Sequence, residues 1–202
     1  MTNQPDWHKI DNGQLLLIDE FLAQKPADDL YEHLLQHAPW RQESIMMFGR
    51  SVLQPRLQCW YGDLSYQYSG LLLAPSPMPE AIKQLKQQCE QICQTPFNSV
   101  LLNLYRDGQD SMGWHQDNEK ELGPSPTIAS VSLGAKRKFS LKHKKSGDKI
   151  DQQLCHGSLL VMAGDIQHHW RHALPKSRRI SQPRINLTFR YILPNELLSK
   201  DT

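Results

Sequence analysis

Hydrophobic and polar residues follow a helical period in the first half of the chain and a strand period in the second half. In residues 27–38 and 79–93, apolar side chains recur every three or four positions, so each segment predicts a helix with one buried stripe. From residue 99 onward, short runs rich in β-branched, leucine and aromatic residues alternate with turn residues, which is typical of strands. The predicted strands are residues 15–18, 100–105, 128–134, 138–143, 158–163 and 183–192, and a hairpin is predicted at residues 43–55.

The order of these elements predicts a single domain over residues 1–202, because no change in composition marks a second one. Residues 1–98 form an N-terminal part that begins with an irregular lead-in, residues 1–13. We expect its two helices to cover one side of an antiparallel sheet or barrel formed by residues 99–193. The predicted fold class is therefore α+β and mostly β.

Composition narrows the class of protein without identifying a function. A chain of 202 residues can bury a sizeable core, and its net charge of +2 is too small to attract nucleic acid except through local patches. No apolar run reaches the length of a membrane span, and the first residues lack an apolar secretory core, so we expect no membrane association and a cytoplasmic location. The cysteines form no Cys-x-x-Cys pair and are expected to be reduced thiols: Cys59, Cys89, Cys93 and Cys155.

The segment around residue 115 carries the first candidate chemistry. In an extended strand His115 and Asp117 point to the same face, and an imidazole with a carboxylate supplies two of the three ligands of a 2-His-1-carboxylate iron site. The third ligand would be His168, His169 or His172. On an extended strand His168 and His172 would share a face and His169 would oppose them, so spacing alone leaves the choice open. The His-x-Asp pattern is common by chance, so a hydrogen-bonded surface pair is the alternative interpretation.

The last predicted strand carries the second candidate, a clean alternation of polar and apolar residues. One face is polar and the other is apolar, and Asn103 and Tyr105 are likewise two positions apart on another predicted strand. Arginine pairs with carboxylates through two parallel hydrogen bonds, so an inward polar face would suit a dicarboxylate. A solvent-exposed face is the alternative. The polar positions are Arg184, Asn186, Thr188 and Arg190.

Taken together, the ordered motifs of the chain resemble the AlkB family of Fe(II)- and 2-oxoglutarate-dependent nucleic-acid dealkylases, and within it the branch that repairs double-stranded DNA. The similarity runs from about residue 48 to residue 192. The matching motifs are Phe48-Gly-Arg50, Pro55-Arg56, Tyr61-Gly-Asp63, Asn103-x-Tyr105, His115-x-Asp117, Ile128-Ala-Ser-Val-Ser132, His156-Gly-Ser-Leu-Leu160, His172-Ala-Leu-Pro175 and Pro183-Arg-x-Asn-Leu-Thr-Phe-Arg190. The resemblance implies a double-stranded β-helix, or jelly roll, with N-terminal helices packed on one side.

The resemblance also implies roles for individual residues, with Fe(II), 2-oxoglutarate and O₂ as cofactor and cosubstrates. The implied iron ligands are His115, Asp117 and His172. The implied 2-oxoglutarate residues are Asn103, Tyr105, Arg184, Thr188 and Arg190. The implied substrate-binding residues are Phe48, Gly49, Arg50, Tyr66, Tyr68, Ser69, Asn118 and Glu119. Relatives often carry Asp where this chain has Asn118, so this position departs from the family pattern.

The function implied by the resemblance is oxidative demethylation of N1-methyladenine and N3-methylcytosine in DNA, with release of formaldehyde, succinate and CO₂. We expect a monomer that acts on double-stranded and single-stranded DNA, with Phe48 as a wedge that fills the gap left by a flipped nucleotide. Two basic stretches, residues 136–145 and 176–179, suit phosphate contacts, or else are solvated turns. The alternative functions are an oxygenase acting on RNA or protein, and a damage-binding protein without turnover.

Overall fold

The computed structural model describes residues 5–47, 49–68 and 71–194. In chain order the elements are β1 (His8–Ile10), β2 (Gly13–Ile18), α1 (Gln24–His37), β3 (Ser44–Met47), β4 (Arg50–Leu53), β5 (Leu57–Gly62), β6 (Tyr66–Tyr68), β7 (Leu71–Leu73), α2 (Glu80–Cys93), β8 (Ser99–Tyr105), β9 (Met112–His115), a 3₁₀ turn (Lys120–Leu122), β10 (Ile128–Gly134), β11 (Arg137–His143), β12 (Lys149–Leu154), β13 (Ser158–Gly164), α3 (Ile166–His169), β14 (Trp170–Leu174) and β15 (Arg184–Arg190). None of the helices in these ranges is long and apolar enough to cross a lipid bilayer.

Most of the strands form two antiparallel sheets. The large sheet has seven strands in the order β1-β2-β13-β10-β15-β8-β5, and the small sheet has four in the order β12-β11-β14-β9. Two further hairpins, β3–β4 and β6–β7, stand outside these sheets. Strands from both predicted parts of the chain are hydrogen-bonded within the large sheet, since β1, β2 and β5 precede residue 99. The mostly β, antiparallel prediction is confirmed.

The two long helices pack on one face of the large sheet, as the sequence predicted. Alternate residues of β15 face this layer and are fully buried, and they meet apolar residues of α1 and α2 in one core cluster. Burial of each such large apolar side chain contributes about 1.5–3 kcal/mol to the stability of the fold. This apolar layer therefore stabilises the packing of the two helices on the sheet. The cluster includes Ala27, Leu34, Ile82, Leu85, Cys89, Ile185, Leu187 and Phe189.

The opposite face of the large sheet lines the space between the two sheets. One end of that space is apolar and is filled by side chains from both sheets. The other end is polar, because the remaining alternate residues of β15 and β8 point into it. The apolar end contains Leu15, Ile128, Leu141, Leu160, Met162 and Trp170.

Three local predictions were wrong in detail. The lead-in is partly ordered, because β1 pairs with β2 in antiparallel register. Helix α1 begins at Gln24 rather than residue 27, since proline is tolerated in a first helical turn and Pro26 is therefore compatible with the helix. Residues 166–169 form the short helix α3 and β14 begins only at Trp170, so His168 and His172 do not share a strand.

Candidate metal and cosubstrate site

Two imidazoles and one carboxylate meet at the polar end of the space between the sheets. His115 is the last residue of β9 and lies directly opposite His172 of β14 in the strand register. Asp117 follows two residues beyond the end of β9. One ligand atom from each of the three side chains lies within 4.8 Å of the others, and His115 Nε2 is 3.7 Å from Asp117 Oδ1. The three residues named by the sequence are therefore brought together.

Neighbouring groups orient each side chain of this triad. The Nδ1 atom of His115 lies 2.9 Å from the carbonyl oxygen of Gly113, which turns Nε2 toward Asp117. The backbone N–H of Asp117 donates to Oε1 of the fully buried Gln167 at 3.0 Å. Arg190 Nη2 donates to Asp117 Oδ2 at 2.5 Å, whereas Oδ1 has no hydrogen-bond partner among the described residues. One carboxylate oxygen is thus held and the other is left available.

The electrostatics of the triad favour the protonation states that bind a cation. Burial by itself would raise the pKa of Asp117, but the positive charge of Arg190 and the two imidazoles lower that pKa below its usual range. Burial lowers the pKa of His172 to about 3, and the neighbouring His115 adds to the effect. Burial likewise lowers the pKa of His115. At neutral pH the site therefore offers an ionised carboxylate and two neutral imidazoles, the forms that ligate metals.

Arg184 presents a buried positive charge in the same cavity. Its side chain is only 2% exposed, and Nη2 donates to Ser132 Oγ at 2.9 Å. Its guanidinium carbon lies 5.5 Å from the centre of the Tyr105 ring. Burial lowers the pKa of Arg184 to about 10, which leaves it protonated at neutral pH. No carboxylate in the described part of the chain forms an ion pair with it, and an uncompensated buried charge is costly, so the cavity fits an anion.

The rest of this polar lining is tied together by side-chain hydrogen bonds. Asn103 lies opposite Asn186 on the neighbouring strands β8 and β15. The amide oxygen of Asn103 accepts from Arg56 Nε at 2.8 Å, and Asn186 Nδ2 donates to Ser130 Oγ at 2.7 Å. Thr188 Oγ1 donates to the amide oxygen of Asn186 at 3.1 Å. These side chains line the same cavity as the triad and Arg184, so a metal ion and an anionic ligand would be neighbours there.

Comparison with known proteins decides the family. The model of the 2OG-Fe(II) oxygenase superfamily matches residues 14–190. Alpha-ketoglutarate-dependent dioxygenase alkB homolog 3 of Bos taurus is 40% identical over 193 residues, which cover 91% of this chain and 68% of that protein. DNA oxidative demethylase ALKBH2 of Mus musculus is 38% identical over 206 residues, which cover 95% of this chain and 86% of that protein. The chain belongs to the AlkB family.

Membership of the AlkB family agrees with both the fold and the donor set. The solved structure of OsALKBH1 superposes with a TM-score of 0.66 over 92% of this chain and 100% of that one, at 15% identity, which supports the jelly-roll fold. Enzymes of this superfamily use Fe(II), 2-oxoglutarate and O₂. Two neutral imidazoles and one carboxylate are the protein ligands of non-haem Fe(II) oxygenases, and the cation-lined pocket beside them suits a dicarboxylate.

Arg137 is a buried residue next to the site, and the sequence did not predict its position. It belongs to the first basic stretch, for which phosphate contacts or solvated turns were expected, but its side chain is 1% exposed. Its guanidinium donates to the backbone carbonyls of Asp107, Asp110 and Pro175 at 2.9–3.0 Å. It also lies 5.7 Å from the centre of the Tyr105 ring. Arg137 therefore connects the segment before β9 to the segment after β14. These two strands carry the imidazoles of the triad.

Two other residues that hold parts of the site in place were missed as well. Arg56 is 3% exposed and holds the Asn103 amide, and Gln167 holds the backbone of Asp117. Arg56 lies in a motif that matches the family, so the motif was the available signal. Gln167 gave no signal, because the four-residue helix that carries it is too short to show a helical period.

The remaining histidine candidates lie away from the triad. The side chain of His168 is exposed, and its Nε2 is hydrogen-bonded to the carbonyl of Pro124. The ring of His169 stacks at 6.2 Å on that of His143. Neither residue belongs to the group of potential ligands found in the described chain, which consists of His115, Asp117 and His172.

The described members of the predicted substrate-binding set belong to two hairpins and to the loop after β9. Gly49 has φ of 74° and Arg50 is exposed, at the turn and start of β4, while Tyr66 and Tyr68 are alternate residues of β6. Phe48 and Ser69 lie outside the described residues. Asn118 is exposed and Glu119 is partly buried. Glu119 would share the strand face of His115 only if the strand continued, but β9 ends at His115 and a 3₁₀ turn follows Glu119.

Proposed function

We propose that this AlkB-family oxygenase removes N-linked methyl groups from DNA bases, with N1-methyladenine and N3-methylcytosine as substrates. The observation that carries the proposal is the joint placement of the triad and the unpaired, buried Arg184 in one cavity. That arrangement supports an enzyme that turns over 2-oxoglutarate rather than one that only binds damage. DNA as the substrate is supported by the similarity to DNA oxidative demethylase ALKBH2, which extends over 86% of that protein.

The chain's own residues would position the reactants. His115, Asp117 and His172 would hold Fe(II), and Arg184 would pair with the distal carboxylate of 2-oxoglutarate. Bound iron and 2-oxoglutarate supply the activation of O₂, and the protein supplies binding, orientation and charge. Tyr105, packed beside Arg184, would fix the orientation of the cosubstrate.

The proposed reaction couples the oxidation of 2-oxoglutarate to the oxidation of the N-methyl group. One oxygen atom of O₂ enters succinate as 2-oxoglutarate loses CO₂, and the other enters a C–H bond of the N-methyl group. The resulting N-hydroxymethyl group breaks its N–C bond, releases formaldehyde and restores the base. The N-methyl carbon is inaccessible inside a duplex, so the damaged nucleotide must be flipped out of the stack. We propose that Phe48 fills the vacated position in a duplex. Tyr66 or Tyr68 would stack on the flipped base of single and double strands alike.

Mass analysis of methylated oligonucleotides tests this function. Oligonucleotides with one N1-methyladenine or N3-methylcytosine would be incubated with the monomeric protein, Fe(II), 2-oxoglutarate and ascorbate. We expect loss of one methylene-equivalent mass together with stoichiometric succinate and formaldehyde. Asp117→Ala is the matched control and should give neither product. Succinate production that depends on RNA or a peptide, but not on DNA, would contradict the DNA assignment, and binding without succinate would contradict catalysis.

A further inference from the structure

The outer face of the small sheet carries an unusual row of positive charge. Lys142 of β11 lies directly opposite Lys149 of β12 on one side and Arg171 of β14 on the other. We call these three residues the cationic row. All three side chains are exposed, and none forms an ion pair with a described residue. Like charges directly opposite one another destabilise a sheet, so the row lowers stability unless an anion binds it.

The charge of this face exceeds that of the whole chain. Besides the cationic row, the exposed charged side chains on these strands include Lys138 and Asp151, which pair with each other at 3.2 Å. The face therefore keeps an excess of three positive charges from the row, whereas the entire protein has a net charge of only +2. Attraction to a polyanion would consequently be concentrated here rather than spread over the molecule.

An exposed tryptophan stands beside the row. Trp114, on the edge strand β9, is 48% exposed, although tryptophan is usually largely buried. It separates two depressions of about 280 Å³ each. The charged residues that line the first are Lys142, Lys144 and Arg171. Those that line the second are Lys149, Lys176 and the ion-paired Lys138 and Asp151. A flat aromatic ring flanked by cations on both sides is the arrangement by which proteins bind single-stranded nucleic acids without sequence preference.

This surface is continuous with the candidate active site. Trp114 immediately precedes His115, whose side chain belongs to the triad on the inner side of β9. Lys144 Nζ donates to Gln116 Oε1 at 3.3 Å, which links the β11–β12 turn to the residue between the two triad positions. The outer face of the small sheet therefore comes within one residue of His115 and Asp117 along the chain.

We propose that the outer face of the small sheet binds single-stranded DNA, with phosphates on the cationic row and an unpaired base stacked on Trp114. The proposal rests on the proposed function and adds a strand path outside the catalytic cavity. The bases of an intact duplex are already stacked, so the Trp114 contact is available only to an unpaired strand. The face therefore favours single-stranded over double-stranded substrates.

Binding of undamaged DNA tests the proposal without chemistry. Fluorescein-labelled oligothymidylate of about 16 nucleotides would be titrated by anisotropy with the metal-free protein. Trp114→Ala should weaken binding at least about fivefold, as expected for one lost base–aromatic stack, and Trp114→Phe should retain most of the affinity.

The double variant Lys142→Gln, Arg171→Gln tests the phosphate contacts. It should reduce the slope of log affinity against log salt by about 1.4, as two lost phosphate contacts on a single strand require. Binding of a blunt duplex should not change with Trp114→Ala.

Controls separate this role from folding and from catalysis. Lys83→Gln removes an exposed positive charge from α2, on the other side of the molecule, and should leave binding unchanged. The thermal midpoint of the Lys142/Arg171 variant should stay the same or rise, because like-charge repulsion is removed. If the wild-type protein does not demethylate DNA, the proposed function is contradicted, but the binding test still applies because it needs no turnover. Unchanged oligothymidylate binding in Trp114→Ala, equal loss in Lys83→Gln, or a dimer that Trp114→Ala dissociates would overturn the strand-path proposal.

Discussion

Arg190 and Asp117 form a buried ion pair in which Arg190 Nη2 lies 2.5 Å from Asp117 Oδ2. The two side chains come from the end of β15 and from the loop after β9, so the pair joins the large sheet to the candidate metal site. It holds one carboxylate oxygen and leaves the other for a metal ion. Arg190 was expected to contact 2-oxoglutarate, and the geometry adds a role in orienting Asp117.

Replacing Arg190 tests this orienting role. Arg190→Met leaves the Asp117 carboxylate buried without its positive partner, and we expect Fe(II) affinity to fall about 10- to 100-fold, as for other groups that orient metal ligands. Arg190→Lys keeps the charge and should lose less. The measurement is a titration of the purified variants with Mn(II) as a redox-stable substitute. Unchanged affinity in Arg190→Met would show that Asp117 is oriented by other groups.

The triad itself predicts a sharp division among the histidines. His115→Ala, Asp117→Ala and His172→Ala should each abolish turnover while the fold is retained, because each removes one of three donor atoms gathered within 4.8 Å. His168→Ala is the matched control and should keep substantial activity, since its exposed ring bonds a backbone carbonyl elsewhere. Succinate release and circular dichroism would be measured on all four variants. An active His172→Ala beside an inactive His168→Ala would reverse the ligand assignment.

Arg184 predicts a dependence on cosubstrate concentration. A charge-assisted hydrogen bond contributes roughly 1.5–3 kcal/mol, so Arg184→Ala should raise KM for 2-oxoglutarate about 10- to 150-fold. Steady-state kinetics over a range of 2-oxoglutarate would measure this change. Metal affinity serves as the internal control, because Arg184 contacts Ser132 and Tyr105 rather than the triad. A KM equal to that of the unaltered enzyme would remove Arg184 from the cosubstrate site.

Phe48 predicts a difference between DNA forms. A wedge matters only where a stack must be opened and the gap filled, and base–aromatic stacking is worth about 1–3 kcal/mol. Phe48→Ala should therefore slow repair of a lesion in double-stranded DNA more than repair of the same lesion in a single strand. The check is a comparison of rates on matched oligonucleotides. Equal losses on the two forms would assign Phe48 to packing.

Glu119 predicts a preference for charged lesions. N3-methylcytosine carries a positive charge that N3-methylthymine lacks, and attraction to a carboxylate strengthens where water is excluded. Glu119→Gln preserves size and hydrogen bonding while it removes the charge, so activity on N3-methylcytosine should fall more than activity on N3-methylthymine. Both rates would be measured in the same sequence context. A parallel fall on the two lesions would mean that Glu119 does not select by charge.

The strand pattern was predictable where the two faces of a strand differ in polarity, although both faces of β8 and β15 are buried. On β15, Arg184 and Thr188 point into the cavity while Leu187 points to the helices, and period-two alternation reveals this separation directly. The same alternation on β8 places Asn103 and Tyr105 in the cavity. Sequence could therefore predict the polar lining, although it left open whether that face met solvent or a ligand.

Other parts of the site depended on tertiary contacts that leave no local period. Arg137 sits among lysines in the sequence, but three backbone carbonyls from distant segments bury it. Gln167 lies on a four-residue helix, too short to show a helical stripe. Asp117 reaches the triad from beyond the end of β9, held by Gln167 and Arg190 rather than by strand geometry.

The placement of Arg137 also bears on how the protein loses activity. One guanidinium fastens the segment before β9 and the segment after β14, and these strands carry His115 and His172. We expect loss of the Arg137 hydrogen bonds to let β9 and β14 move apart and to separate the two imidazoles. The large sheet and its helical layer would stay packed. Mild heating or dilute denaturant would then inactivate the enzyme through its small-sheet edge, well before the bulk of the chain unfolds.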